Sequence, residues 1–200
     1  MRRFRHSQNC GAEPLKCAMR RVNLIAHPTT PCSSLKEVGV GITLLPTDAI
    51  EFQLTLTGHI GKLRIPENSV PRRADNLWQH TCFEAFIAMP RSEGYFEFNF
   101  APSGEWAIYQ FDSYRNGMTA TNAQPPTIRT HRSASNWVVD VNVDLGACAD
   151  LKNYVELRLA LSAVIEENDG ALSYWALAHP SGKPDFHHPD NFAFTLINGK

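Results

Sequence analysis

The stretch DNLWQHTCFEAFIAMPRSEGYFEFNFAPSGEWAIYQFDSYRNGM, residues 75–118, decides how the 200-residue chain is read. It holds two of the 4 tryptophans and more than half of the 11 phenylalanines. Thr81, Phe83, Ala85 and Ile87 recur at every second position, and so do Phe96, Phe98 and Phe100. That is the repeat of strands with one buried face. The positions between them carry Glu84 on the first strand and Tyr95, Glu97 and Asn99 on the second, so acids and an amide share rows with aromatic rings. Pro102 and Gly104 in APSGE supply turn geometry, and EWAIYQFD continues as a third strand. Three adjacent antiparallel strands with something polar held on one face is the simplest reading.

Outward from this centre, composition narrows the class. A hydrophobic content of 43% and a net charge of -1 suit one globular domain with a substantial core. They supply no general electrostatic attraction to nucleic acid, and the longest like-charge cluster inside the body is Arg72-Arg73. No apolar run is long enough to span a bilayer, and the basic N-terminus lacks the apolar segment of a secretory signal. The expectation is a soluble cytoplasmic protein with no nucleic acid or membrane partner. The oligomeric state is left open. Cysteines at 10, 17, 32, 82 and 148 are odd in number and lack CxxC spacing, which argues against a disulfide framework or a structural zinc site.

Residues 1–18 are polar, basic and aperiodic and read as a flexible extension, with the folded domain spanning 19–200 and Met19 a candidate start. VGVGITLLP and AIEFQLTLTGHIGKLRIP read as two strands, Gly58 and Gly61 permitting a bend. TATNAQPPT reads as a surface loop because adjacent prolines fit neither a helix nor a central strand. Trp137, Val139, Val141 and Val143 alternate with polar residues, DLGACADLKN suits a short helical turn, and YVELRLALSAVIEE is a strand with Val155, Leu157, Leu159 and Leu161 inward. ENDG turns the chain into ALSYWALAHP, and NFAFTLI closes it. The fold expected is all-β: an antiparallel, jelly-roll-like sandwich of two sheets with about ten strands.

The mixture of Trp78, Tyr95, Trp106, Tyr109, Tyr114 and Trp175 with Glu84, Glu97, Asn99 and Arg115 is what a sugar requires. Pyranose C–H faces stack on rings, while hydroxyls need carboxylate, amide and guanidinium partners. Glu84, inside a near-buried strand, needs hydrogen-bonding or charged partners, and Arg115 as that partner would make the pair structural. In HPSGKPDFHHPDNF, residues 179–192, His179, Asp185, His187, His188 and Asp190 are metal-ligand types, but neighbouring His187 and His188 would diverge on a strand, and four prolines and glycines make a rigid loop. Cys82 flanked by His80 and Glu84 has the residue types of a nucleophilic site. Strand spacing keeps the three about 6–7 Å apart, too far for direct hydrogen bonds.

At DNLWQHTCFEAFIAMP, residues 75–90, the chain resembles the DOMON-like domains related to the family 9 carbohydrate-binding modules: a tryptophan, a polar segment, an acid-containing strand and an aromatic-aliphatic end. The resemblance continues through YFEFNFAPSGEWAIYQFDSYRNGM and SYWALAHPSGKPDFHHPDNF and covers most of 19–197. It implies an antiparallel β-sandwich whose relatives bind sugars, sometimes with structural calcium, or bind haem. Trp78 and Glu84 match the motif best; Trp106 and Trp175 are offered as ring platforms. Haem-carrying relatives use Met and His as axial ligands, for which Met89, Met118 and His179 are the candidates, with no pair selected by spacing. The function expected is non-catalytic binding of a carbohydrate or similar polyhydroxylated small molecule on the wet face of the central strands, bounded by the loops 112–118 and 179–189, through Trp78, Glu84, Glu97, Asn99, Trp106, Tyr109, Arg115, Trp175 and His179, with no cofactor, metal ligand or catalytic residue. The alternatives are a haem-binding domain and an accessory protein-interaction domain without a small ligand.

Overall fold

Antiparallel pairing links all the strands of the computed structural model, which describes residues 18–198 apart from Asn68 and Asn153. Cys10, Cys17 and nearly all of the expected N-terminal extension lie outside the described residues. The strands are β1 (Arg20–Ala26), β2 (Leu35–Leu44), β3 (Ala49–Gly58), β4 (Cys82–Ala88), β5 (Tyr95–Phe100) and β6 (Trp106–Phe111). The chain continues through β7 (Thr119–Ala120), β8 (Thr127–Arg132), β9 (Asn136–Asp144), β10 (Glu156–Glu166), β11 (Leu172–Ala176) and β12 (Phe194–Ile197). No helix among the described residues is long and apolar enough to cross a membrane.

The fold is all-β and antiparallel as expected, with 12 strands rather than about ten, joined as one strongly curled sheet in the order β7-β6-β5-β4-β10-β11-β1-β2-β3-β9-β8, with β12 also on β10. The joint is β1. Its first part, Arg20 to Leu24, pairs with β2, and its last two residues, Ile25 and Ala26, pair with β11, so one strand carries the hydrogen-bond ladder from one half of the sheet into the other. The halves then face each other across a single apolar layer. Phe52 meets Phe100 at 6.4 Å between ring centroids and Trp137 meets Phe83 at 5.9 Å. Burying such rings supplies the main driving force of the fold.

Period-two positions fill this layer as the sequence indicated: Phe83, Ala85 and Ile87 from β4, Phe96, Phe98 and Phe100 from β5, alternate residues from Trp137 to Val143 in β9, and Leu157, Leu159 and Leu161 in β10. Val155 departs from its expected place, because β10 begins at Glu156 and Val155 is exposed. The expected single loop over TATNAQPPT contains the two-residue β7 and runs into β8, a wet edge strand that owes its conformation to β9. The expected helical turn is present as two short 3-10 turns, Leu145–Ala147 and Ala149–Leu151.

Gly58 ends β3 where a β-bulge in β2 brings the chains together. A Cβ there would run into the Ser34 carbonyl oxygen and stand 2.8 Å from Leu35 Cα, both backbone atoms that cannot swing aside. Gly61 has nothing within 4 Å of the same construction. Gly58→Ala is therefore expected to lower unfolding stability by about 1–3 kcal/mol. Gly61→Ala should stay within about 0.5 kcal/mol of the parent. Chemical denaturation of the two variants measures the difference, and equal effects would contradict the packing described.

Candidate functional site

The alternation that sends Phe83, Ala85 and Ile87 into the core sends Cys82, Glu84, Phe86 and Ala88 to the outer face of the same strand. Pairing registers build that face row by row. Ser162 of β10, Glu84, Asn99 and Ala107 form one row; Ala160, Phe86, Glu97 and Tyr109 form the next; Arg158, Ala88, Tyr95 and Phe111 form the third. Glu84 and Glu97 are thus diagonal neighbours on paired strands, a placement that puts their backbones about 7–8 Å apart. They floor a cleft of about 880 Å³.

Two loops wall the cleft. The hairpin after β6 turns through Ser113 to Asn116, where Asn116 N–H donates to Ser113 O at 3.0 Å, and it places Arg115 in the left-handed region at φ 54. That conformation costs a non-glycine residue roughly 1 kcal/mol. It is over-determined by contacts: Arg115 N–H donates to Tyr95 Oη at 3.1 Å, and Arg115 Nη2 reaches Asp185 Oδ1 at 2.7 Å. The second loop follows β11 and lays Phe186 and His187 over the outer face. Asp185 pins it, accepting from Tyr114 Oη as well as from Arg115 and from the His187 N–H at 3.2 Å. The His187 ring sits 5.0 Å from Phe86 and 5.2 Å from Phe111. A third wall comes from the short 3-10 turn Leu77–Gln79, entered through Asn76 at φ 60, which leaves Trp78 on the rim with 51% of its surface exposed.

Tyr95 Oη accepts from Arg115 N–H at 3.1 Å and shares a hydrogen bond with His187 Nδ1 at 2.7 Å, while His187 Nε2 faces Glu97 Oε2 at 3.7 Å. Burial holds the imidazole down to about 4, with Arg115 adding to the effect and Asp185 opposing it. The carboxyls move the other way. Burial, then the charge of Glu97, pushes Glu84 well above the ordinary carboxylate range against the pull of Arg115 and the Ser162 hydroxyl. Burial raises Glu97 as well, opposed by the 2.7 Å hydrogen bond from Asn99 Nδ2 and by Arg115. At the rim, Tyr109 Oη donates to Asp75 at 2.6 Å, and Arg73 pairs with Asp75 at 3.2 Å.

Of the residues singled out in the sequence, Trp78, Glu84, Glu97, Tyr109 and Arg115 line this cleft, and Asn99 lies in its floor, 1% exposed. Trp106 and Trp175 do not join them. Both sit in the core layer, because Trp106 shares the inward parity of Ile108 and Trp175 that of Ala163, so the expected ring platforms are buried packing. His179 lies beside the C-terminal end of β1, its Nε2 2.8 Å from Ile25 O and its ring 4.8 Å from that of His27. Phe186 and His187 come from the 179–189 loop expected to bound the site, whereas Asp75, from the segment before β4, and Tyr174, on β11, were not singled out in the sequence.

The other constellations do not assemble. His80 pairs with Glu166 at 2.8 Å, and burial followed by Glu84 pushes the Cys82 thiol up, so the residues flanking Cys82 form no nucleophilic relay. Among the described residues no group of three His, Cys, Asp or Glu side chains is arranged to hold a metal ion. Of the haem candidates, Met89 packs against the core, Met118 is on the cleft rim and His179 is beside the C-terminal end of β1.

No family model matches the chain, and no curated protein matches it. Its fold is shared with a protein from Bacteroides uniformis described as a candidate carbohydrate-binding protein: TM-score 0.64, 13% identity, 90% of this chain and 86% of that one covered. A family 9 carbohydrate-binding module from Caldicellulosiruptor kristjanssonii also matches, in its cellotriose complex at TM-score 0.44 and 11% identity over 75% of this chain and 70% of that one. Its glucose complex matches at 0.41 and 10%, over 75% and 72%.

The opposed shifts have opposite consequences for stability. His187 protonates near 6.5 when unfolded and near 4 when folded, so its contribution is full above 6.5 and disappears as pH falls to about 4. The amount is up to about 3 kcal/mol. Glu84 and Glu97, raised in the fold, contribute fully below the ordinary carboxylate range and lose that contribution as pH rises. In urea titrations, His187→Gln should flatten the loss of stability between pH 6.5 and 4, whereas Glu84→Gln should remove part of the decline as pH rises above the ordinary carboxylate range. A parental slope in His187→Gln would mean the imidazole is not held neutral by the fold.

Proposed function

We propose that this cleft binds a carbohydrate or similar polyhydroxylated small molecule and releases it unchanged. The observation that carries the reading is the floor: two buried carboxyls and an amide in adjacent rows, beneath a rim on which Trp78 and Tyr109 present ring surface. Hydroxyls need closely spaced acceptors and donors, and the C–H face of a pyranose needs a ring. A cleft of about 880 Å³ has room for one or two sugar rings. The same reading groups the chain with the DOMON-like domains and treats the two facing halves of the curled sheet as a jelly-roll-like sandwich. Kinship of fold with a protein itself regarded as a candidate carbohydrate binder is in keeping with it.

Binding is favoured over turnover by the condition of the groups at hand. Burial holds the His187 imidazole down to about 4, which makes it a weak base toward a ligand. The Cys82 thiol is buried and pushed toward its neutral form. Glu84 and Glu97, on adjacent strands, have the residue types of glycosidic acid–base chemistry and serve equally well to hold hydroxyls.

Calorimetry or thermal shift with mono- and oligosaccharides tests the proposal, since a ligand selective for the native state raises its stability. Trp78→Ala should weaken a sugar about tenfold by removing a stacking surface while leaving stability near that of the parent. Trp175→Ala should instead cost about 3–5 kcal/mol of stability, as expected for a core ring. Unchanged affinity in Trp78→Ala would remove the rim from the binding site, and the absence of any sugar ligand for the folded protein would end the reading.

A further inference from the structure

Resting on the carbohydrate reading, we propose that the cleft is selective for amino sugars, receiving a ligand ammonium at Glu84 and Glu97 with the sugar ring against Trp78 and Tyr109. The inference comes from how charges are already partnered around the cleft. Arg73 is held by Asp75 at 3.2 Å, and Arg115 is held by Asp185 at 2.7 Å. Each guanidinium therefore has its own carboxylate on the outer wall. The two floor acids have no such hydrogen-bonded cation: Glu97 accepts from the Asn99 amide at 2.7 Å, and Arg115 acts on the pair only through its charge. His187 Nε2 stands 3.7 Å from Glu97 Oε2, but burial holds the imidazole down to about 4, so near neutral pH it brings no charge.

Two acids buried to 5% and 6% exposure thus face a cleft without a hydrogen-bonded cation. Isolated buried charge is unfavourable, and a ligand that brings the missing positive charge is favoured over an isosteric neutral one. The walls fit the same class. Tyr109, Phe111, Tyr174, Phe186 and Trp78 surround the floor with rings, whose faces attract a cation as well as sugar C–H groups. A plain hexose satisfies the rings and part of the floor; only an amino sugar also supplies a cation.

Arrival of an ammonium also has a proton consequence. The groups facing Glu84 and Glu97 are Cys82 and Phe86 on β4, Asn99 and Tyr95 on β5, Tyr109 on β6, Ser162 on β10, Arg115 on the hairpin and His187 on the covering loop. Burial and the mutual repulsion of the pair favour retention of a proton in the empty cleft. A cation stabilises the ionised pair, so that proton is released into solvent on binding. A neutral hexose provokes no comparable release.

The test uses the intact protein and calorimetry with glucosamine and galactosamine beside glucose, galactose and N-acetylglucosamine, in two buffers of different ionisation enthalpy. Spermidine is included as a cation without a sugar ring. Amino sugars are expected to bind about tenfold more tightly than their parent hexoses, as one charge-assisted hydrogen bond provides, and to release a proton that the hexoses do not. Glu97→Gln, which keeps shape while removing charge, should bring the affinities for glucosamine and glucose to within about twofold of each other, whatever it does to hexose affinity itself; Glu84→Gln serves the same purpose if the first variant folds poorly. Equal affinity for amino sugars and hexoses overturns the inference and leaves the carbohydrate reading standing. Spermidine binding as tightly as the amino sugars, with no hexose binding, overturns both, as does the absence of binding by any member of the panel.

Discussion

The register between β4 and β5 is the constraint on which the molecule depends. Glu84 lies opposite Asn99, and Phe83 opposite Phe100, so all core rings face one way and all floor polar groups the other. A slip of one residue would exchange the faces, exposing phenylalanines and driving two carboxyls and an amide into the apolar layer. The penalty for burying those groups is far larger than any single pairing energy in the sheet. The core thus enforces the site: the rings that cannot leave the interior hold the acids in the cleft.

The same arrangement explains why the acids are buried without being part of the core. Behind them is the dry layer between the two halves of the sheet; in front is the loop carrying Asp185, Phe186 and His187. That loop is fastened at Asp185 by Tyr114, Arg115 and its own backbone, and at His187 by Tyr95. Arg115 holds its left-handed backbone only because Tyr95 and Asp185 are both there to receive it. Removing water from the carboxyls and supplying few cations gives the cleft its chemical character, which is that of an acceptor-rich pocket edged with rings.

Much of this was legible in the chain. The alternations at Phe83 to Ile87, Phe96 to Phe100 and Trp137 to Val143 identified strands and their inward faces, and the polar parity of the first two marked Glu84, Glu97 and Asn99 as one face. Strand β8 was not legible, because TIRTHR has no apolar alternation and owes its conformation to pairing with β9. The tryptophans misled for a related reason. An indole at a strand position stacks on sugar or packs in a core according to its parity against the neighbours, and Trp106 and Trp175 both take the inward parity. Trp78, on a short turn, remains at the rim.

The sequence by itself determined that the protein is all-β, where most strands run and which side of β4 and β5 is polar, because period-two patterning is a local property that burial on one face must respect. Only the tertiary structure decided that β1 would carry one continuous sheet from half to half. It also decided which side chains of the 179–189 loop would meet the site, His187 reaching Tyr95 some ninety residues earlier in the chain, and it left Arg115 engaged by Asp185 rather than by Glu84. Those outcomes depend on strand order and on which loop covers which face. They arise from competition among distant partners for the same few hydrogen bonds, and no local pattern of residues records who wins it.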